Sequence, residues 1–272
     1  MILISVIVGT YNRPDALTAV LEGYLAQTDP NFEVIIADDG SKEEIRDLVR
    51  FYMSKPGFSV SHVWQEDQGY RGAAVRNRAI AASRADYIIF TDGDCIPLPD
   101  FVQQHRRLAE QGWFLAGKRI LFSEAFTKRV LSDHIPVHEW NIWQWLGARL
   151  QKNINRWLLF LHLPVSGLMR KFWAKRWQSA MTCNLSAWRS DLLRVNGMDE
   201  TFTGWGREDS DLVIRLIHAG VGRKSARFGV PPVLHLWHKQ VDRSSLVKNS
   251  KLLKDSINSK RSYAMLGVDQ YL

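Results

Sequence analysis

Short apolar runs alternate with stretches of helical period through the first half of the chain. Ile2 to Val8 is a run of β-formers and predicts a buried first strand. Pro14 suits a first helical turn, and Leu17, Val20, Leu21, Tyr24 and Leu25 then recur at helical spacing. Phe32 to Ala37 predicts a second strand, and Ser41 stands where the N-cap of a helix through about Met53 is expected. Phe58 to Trp64 predicts a third strand, followed by a helix from Ala73 to about Ser83. Tyr87 to Phe90 is again a buried strand, and after it come a helix from about Pro99 to Gln111 and a strand from Trp113 to Phe122. Such alternation predicts an α/β fold with a mainly parallel, doubly wound, Rossmann-like sheet flanked by helices.

The pattern loosens from Ser123 to Gln178, where helical stretches with poor boundaries are expected. Ser179 to Trp188 returns to the sheet, and Glu208 to Ala219 is a helix with acids at its start and Gly220 as its stop. Val233 to His238 predicts a late strand, and Ser244 to about Leu266 a polar helical tail. The expected division is 1–122, a helical insertion 123–178, a half 179–243, and a tail 244–272.

Composition adds a location for the charge. The net charge is +8, and the stretch from Trp140 to Ser190 contains no Asp or Glu. It carries Arg149, Lys152, Arg156, Arg170, Lys171, Lys175, Arg176 and Arg189, interleaved with Trp140, Trp143, Trp145, Trp157, Trp173 and Trp177. This basic, aromatic block suggests an anionic or amphipathic partner, or an aromatic core with a solvated basic face. A nucleic-acid partner would use the same chemistry but explains none of the acidic turns, so none is expected. No apolar run approaches the ~20 residues that span a bilayer. The N-terminus reads as a strand rather than a signal peptide, and Cys95 and Cys183 are too few for a disulfide framework. A cytoplasmic protein is expected, with peripheral contact at the inner face of the cytoplasmic membrane through the basic block.

Three polar turns follow strand ends: Thr10 to Arg13, Asp38-Asp39, and Asp92-Gly93-Asp94. Strand ends of one parallel sheet share an edge, so these turns converge on a ligand site. Two carboxylates one residue apart repel unless a cation lies between them, and a divalent metal carrying phosphates supplies it. Asp38-Asp39 suits either a turn and helix cap or a contact to base or ribose. Arg76, near a helix start on that edge, can meet phosphate or base acceptors.

The stretches Val6 to Arg13, Val34 to Ser41, Gly72 to Asn77 and Asp92 to Asp94 together resemble the family 2 glycosyltransferases of the GT-A fold. These enzymes transfer sugar from a nucleotide-activated donor with inversion. Cys183 to Ser186, Asn196 to Glu200 and Phe202 to Asp211 are similar to the C-terminal part of β-1,4-galactosyltransferases and chondroitin-polymerase-type enzymes. The resemblance makes 1–122 the nucleotide-sugar half, 123–178 the acceptor or membrane side, and 179–243 the acceptor and catalytic-base half. It implies that Asp209 is the catalytic base with Glu208 beside it, and that Trp205, Gly206 and Asn184 face the acceptor. Thr10, Tyr11, Asn12, Arg13, Asp38, Asp39, Arg76, Asp92 and Gly93 would bind the nucleotide sugar. Asp94 and His238, with His235 second, would hold Mn²⁺ ahead of Mg²⁺.

UDP is the first expectation for the nucleotide, with GDP open. The implied activity is metal-dependent, inverting hexosyl transfer to a glycan or lipid-linked glycan in bacterial surface polysaccharide or lipopolysaccharide synthesis. The alternatives are a polysaccharide-polymerase module and a non-catalytic nucleotide- or glycan-binding domain. Arg207 departs from the pattern, since a small residue usually stands there, and it bears on the acceptor pocket.

Overall fold

The computed structural model describes residues 2–161, 165–239 and 242–272. Met1 at the edge of the first apolar run, 162–164 of the expected insertion, and 240–241 of the following half lie outside the described residues. The strands are β1 (Ile4–Thr10), β2 (Phe32–Asp38), β3 (Val60–Trp64), β4 (Tyr87–Asp92), β5 (Cys95–Ile96), β6 (Trp113–Ala116), β7 (Arg119–Leu121), β8 (Leu185–Trp188), β9 (Gly222–Ser225) and β10 (Val233–His235). The helices are α1 (Pro14–Leu25), α2 (Glu43–Met53), α3 (Gly72–Ala82), α4 (Phe101–Leu108), α5 (Glu124–Ser132), α6 (Ile142–Leu150), α7 (Gly167–Arg170), α8 (Arg189–Arg194), α9 (Glu208–His218) and α10 (Leu246–Ser259).

Side chains alternate across a strand, and here both faces of the sheet are apolar. Ile4, Val6 and Val8 of β1 join Val34 and Ile36 of β2 and Tyr87 and Ile89 of β4 on one face, under α1 and α2. Ile7, Ile35, Ile88 and Phe90 face the other way, against α3 and α9. Burying each such side chain stabilises by about 1.5–3 kcal/mol. The result is a helix–sheet–helix sandwich whose main sheet runs β3-β2-β1-β4-β8-β6-β9. Only β8 runs against its neighbours β4 and β6. A small second sheet, β5-β10-β7, lies beside it. The expected mainly parallel sheet flanked by helices is therefore present.

Two expectations need correction. Trp113 to Phe122 is not one strand: the chain leaves the main sheet at Gly117 and enters the small one as β7. Gly117 passes so close to Asn184 that a Cβ would lie 2.1 Å from Asn184 Oδ1. Nor does Ser41 cap α2, whose N-cap is Lys42. Ser41 instead accepts from the Asn12 N–H and donates its own N–H to Asp38 Oδ1. Asn12 Oδ1 accepts from the Lys42 N–H, so the loop after β1 ties down the start of α2.

Between Ser123 and Gln178, Phe126, Val130, Val137, Trp145, Ala148, Ile154 and Leu159 join the same apolar cluster as β1. Trp145 is the anchor, stacked on Phe160 at 4.5 Å and tilted against Trp140 at 5.1 Å. Other residues of this stretch face solvent: Trp143 is 74% exposed. No helix among the described residues is long and apolar enough to cross a membrane.

Helix α9 is fixed by a fully buried ion pair. Arg215 Nε donates to Asp211 Oδ2 at 2.6 Å, and its Nη1 donates to the carbonyls of Val195 and Gly197. Removing one partner of such a pair leaves a buried charge and costs about 3–5 kcal/mol. Arg215→Leu is therefore expected to lower unfolding stability by about that amount in urea titration. A loss below about 1 kcal/mol, the range of exposed pairs, would show that the pair does not anchor the helix.

Candidate active site

In an open α/β sheet, ligands bind beyond the strand C-termini where the winding reverses. Here the chain winds from β1 outward to β3, then returns to place β4 on the other side of β1. Gly9 pairs with Asp92 across that point. The approach is close: the Gly93 N–H donates to the Gly9 carbonyl at 2.7 Å. A Cβ on Gly93 would lie 2.8 Å from Thr10 Oγ1, and one on Gly9 would lie 2.9 Å from Arg76 Nη2. Both positions need glycine.

Arg76 is the centre of the cluster. It is buried, and its guanidinium donates to Asp92 Oδ1 at 2.7 Å and to the Gly72 carbonyl at 3.1 Å. Burial opposes its charge, but Asp92, Tyr70, Asp209 and Glu208 surround it and hold its pKa above the usual value. Asp92 is pushed up to about 6, chiefly by burial, with Arg76 pulling down and Asp94 and Asp209 pushing up. Asp92 thus feels the charges of both Asp94 and Asp209.

On one flank, Asp94 meets two imidazoles, His235 at the end of β10 and His238 three residues beyond it. His238 Nε2 is 3.6 Å from Asp94 Oδ2, and His235 Nε2 is 3.8 Å from Oδ1. These separations exceed a hydrogen bond. They suit two ligands of one ion whose bonds are about 2.0–2.2 Å. His238 Nδ1 bonds the Lys239 carbonyl at 2.8 Å, which makes Nδ1 the donor and leaves Nε2 a free lone pair, as ligation requires. Burial lowers the pKa of His235, against the pull of Asp94, and keeps it neutral. Cys95 Sγ also lies within 4.8 Å of Asp94 and His235 ligand atoms. Burial holds its thiol well above the usual range, so it stays a weak donor to Asp94.

On the other flank stands the turn before α9. Gly204, Gly206 and Arg207 all have positive φ, at 70°, 110° and 80°. For Arg207 the left-handed conformation costs roughly 1–2 kcal/mol, a cost that glycine, lacking a Cβ, would avoid. Its side chain turns to Ser250 on α10. Buried Asn249 of α10 clamps the turn by donating to the carbonyls of Thr203, Gly204 and Gly206. Asp209, in the first turn of α9, accepts from the Thr182 hydroxyl at 2.8 Å and the Thr182 N–H at 3.1 Å. Glu208 is buried and accepts from Tyr70 Oη at 2.8 Å, while its Oε2 has no partner among the described residues. Burial, then the Asp209 charge, pushes Glu208 up to about 7. Half-buried Trp205 stacks against the Arg243 guanidinium at 5.0 Å.

The remaining residues expected at the site divide. Thr10 lies at the strand end with its Oγ1 buried and unpartnered among the described residues. Tyr11 is exposed and donates to Asp67, while Arg13 pairs with Asp15 at the start of α1. Asp39 accepts from Gln65 and from the Arg71 N–H, and burial raises its pKa. Asp38 is fully buried, with its oxygens engaged by the Ser41 N–H and His62 Nε2, so it reads as a turn residue. Asn184 needs the same correction. It is buried, donates to the carbonyls of Lys118 and Pro231, and bonds His105, so its amide is spent inside the fold. Tyr70 and Thr182, which position Glu208 and Asp209, were not expected. Their partners lie 138 and 27 residues away, and no spacing rule marks them.

A sequence profile of "Glycosyl transferase family 2" matches residues 5–177, and one described as "N-terminal domain of galactosyltransferase" matches 165–239. Validoxylamine A glucosyltransferase of Streptomyces hygroscopicus subsp. jinggangensis is 30% identical over 230 residues, spanning 80% of this chain and 52% of that protein. Chondroitin synthase of Escherichia coli is 30% identical over 227 residues, spanning 80% of this chain and 32% of that protein. The chain thus spans about half of the one relative and a third of the other. Among solved structures, a mannosyltransferase of Pyrobaculum calidifontis in complex with GDP-Man and Mn²⁺ is 18% identical with a TM-score of 0.61, covering 99% of this chain and 71% of that one. TarS of S. aureus with UDP-GlcNAc is 15% identical with a TM-score of 0.60, covering 99% and 69%. These two share the fold.

Glu208 gives this geometry a pH signature. The folded state keeps its proton up to about pH 7, whereas an ordinary glutamate loses it near 4.5. The folded state therefore binds more protons in that window, and stability falls as pH rises through it. Glu208→Gln is expected to melt above the unsubstituted protein at pH 8 and level with it at pH 5. Differential scanning calorimetry at the two pH values checks this, and an equal gap at both would contradict it.

Proposed function

The chain belongs to glycosyltransferase family 2, and from that premise we propose that it moves a hexose from a nucleotide-diphosphate sugar to a glycan acceptor with inversion. One observation carries the reading: Asp94 with its two imidazoles and Asp209 on its helix meet through Asp92 and Arg76 at the sheet's switch point. Asp94 and His238, with His235 beside them, would hold a divalent ion, Mn²⁺ ahead of Mg²⁺. That ion supplies Lewis-acid neutralisation of the departing diphosphate when bound. Asp209 takes the proton of the attacking acceptor hydroxyl as general base. The Thr182 bonds hold its carboxylate in place, and the α9 N-terminus favours its charge.

Arg76 holds Asp92 toward the ribose and outer shell of the donor. Protonated Glu208 can share a hydrogen bond with a sugar hydroxyl, and Trp205 offers the acceptor a ring face. Thr10 to Arg13, Asp39 and Gly93 line the nucleotide pocket, and UDP is favoured over GDP. The solved neighbours with UDP-GlcNAc and with GDP-Man and Mn²⁺ support donor and ion by likeness of fold. The divided organisation follows: 1–122 for the donor, 179–243 for acceptor and base, 123–178 on the acceptor side.

The acceptor belongs to a bacterial surface glycan, lipid-linked in the reading favoured by segment 167–176. Leu168, Met169, Phe172 and Trp173 there are 82%, 69%, 80% and 58% exposed. Lys175 and Arg176 flank them, a composition suited to the interface of an anionic membrane. Retention on phosphatidylglycerol vesicles is expected to fall with salt and with Phe172→Ser/Trp173→Ser. Equal retention on neutral vesicles would contradict it. The kinship with chondroitin synthase favours a second reading, a polymerase module, which product length distinguishes.

Asp209→Asn is expected to lower turnover about 10²–10⁴-fold while UDP with Mn²⁺ still raises the melting temperature. Asp94→Asn and His238→Ala should lose the Mn²⁺-dependent part of that rise. Donor binding with no turnover in the unsubstituted protein, across acceptors, would favour a non-catalytic binding domain.

A further inference from the structure

Away from the strand-end cluster, a cavity of about 440 Å³ opens between the β6–β7 connection, the end of α6, the 155–159 segment and the turn after β9. Lys118, Arg149, Arg156 and Arg227 line it, with Trp157 and Asn155. No carboxylate lines it, and among the described residues none of the four cations is paired with one. Two of the arginines press on the lysine: the pKa of Lys118 is lowered first by burial, then by Arg223, Arg156, Arg227 and Arg176. Cations gathered around one cavity with no carboxylate among them give it a positive potential that attracts an anion.

The cavity also borders the catalytic side. Asn155 bonds Leu121 of β7 through backbone and side chain, and Leu121 pairs with His235 across the small sheet. Lys118 stands three residues before Leu121, which places it roughly 10 Å along the strand from the level of His235. Trp157 and Leu158 add an apolar wall of the kind that takes a sugar face.

We infer that this cavity is a subsite for a phosphorylated sugar of the acceptor, its phosphate held by Lys118, Arg149, Arg156 and Arg227 and its ring set against Trp157. The inference rests on the transferase reading for the acceptor's identity, but binding can be measured without turnover. Arginine forks match phosphate oxygens in pairs, so the subsite is expected to prefer a phosphorylated to a neutral sugar.

Isothermal titration with glucose 6-phosphate and with glucose, in metal-free protein, tests it. The unsubstituted protein should bind glucose 6-phosphate and not glucose. Arg156→Ala/Arg227→Ala, at two exposed positions, should weaken that binding at least tenfold and leave UDP with Mn²⁺ bound as before. Absence of glucose 6-phosphate binding, equal affinity in the double variant, or displacement by UDP with Mn²⁺ would each overturn the subsite. So would a double variant that loses only its retention on phosphatidylglycerol vesicles, since the cations would then serve lipid headgroups. Phosphosugar binding that follows the expected pattern while UDP fails to bind would support the subsite and count against the transferase reading instead.

Discussion

A buried guanidinium at the switch point of the sheet lets several carboxylates share one small volume. Asp92, Asp94, Glu208 and Asp209 come from two distant parts of the chain, and their mutual repulsion would drive them apart or protonate them. Arg76 answers this by bonding Asp92 directly and lying within the field of Glu208 and Asp209. The glycines follow from the same demand. Gly9 and Gly72 leave the room that the guanidinium fills, since a Cβ at either would lie within 3 Å of it. Asp92 and Glu208 still titrate high, chiefly through burial and then through the neighbouring carboxylates, and a divalent ion beside Asp94 would offset that second part.

The second constraint is mechanical. The Asp209 carboxylate is held by Thr182 on one side and by a turn with left-handed backbone on the other, as the proposed role of base requires. That turn keeps left-handed backbone at Gly204, Gly206 and Arg207 because Asn249, from the tail helix, occupies its carbonyls. The tail helix therefore braces the turn that carries Glu208 and Asp209. Local strain of this sort persists only where surrounding contacts over-determine it.

Much of the fold was legible because its strands are apolar runs ending in polar turns, and its helices carry clear periods. β1, β2 and β4 end within two residues of where the pattern of β-formers stops. The split of β6 from β7 was not legible, because it is set by the close passage of Gly117 against Asn184, a contact made across the fold. The same limit applied within the site. Asp94, His235 and His238 were readable as a group through a resemblance, and both imidazoles lie within 4 Å of the Asp94 carboxylate. Asp38 and Asn184 were misread for one reason: a polar residue in a family-like motif can be spent inside the fold, and only its partners reveal this. Tyr70 and Thr182 act on residues far along the chain, so local pattern carries no trace of their roles.

The account stands on Asp94, His238 and Asp209 belonging to one centre. Anomalous diffraction at the manganese edge, from crystals grown with Mn²⁺ and UDP, tests that most directly. The expected peak lies roughly 2.0–2.2 Å from an Asp94 oxygen and from His238 Nε2, with UDP on it and the Asp209 carboxylate lining the same crevice. A manganese and UDP bound by other residues, with Asp94 and His238 both out of bonding range, would contradict it.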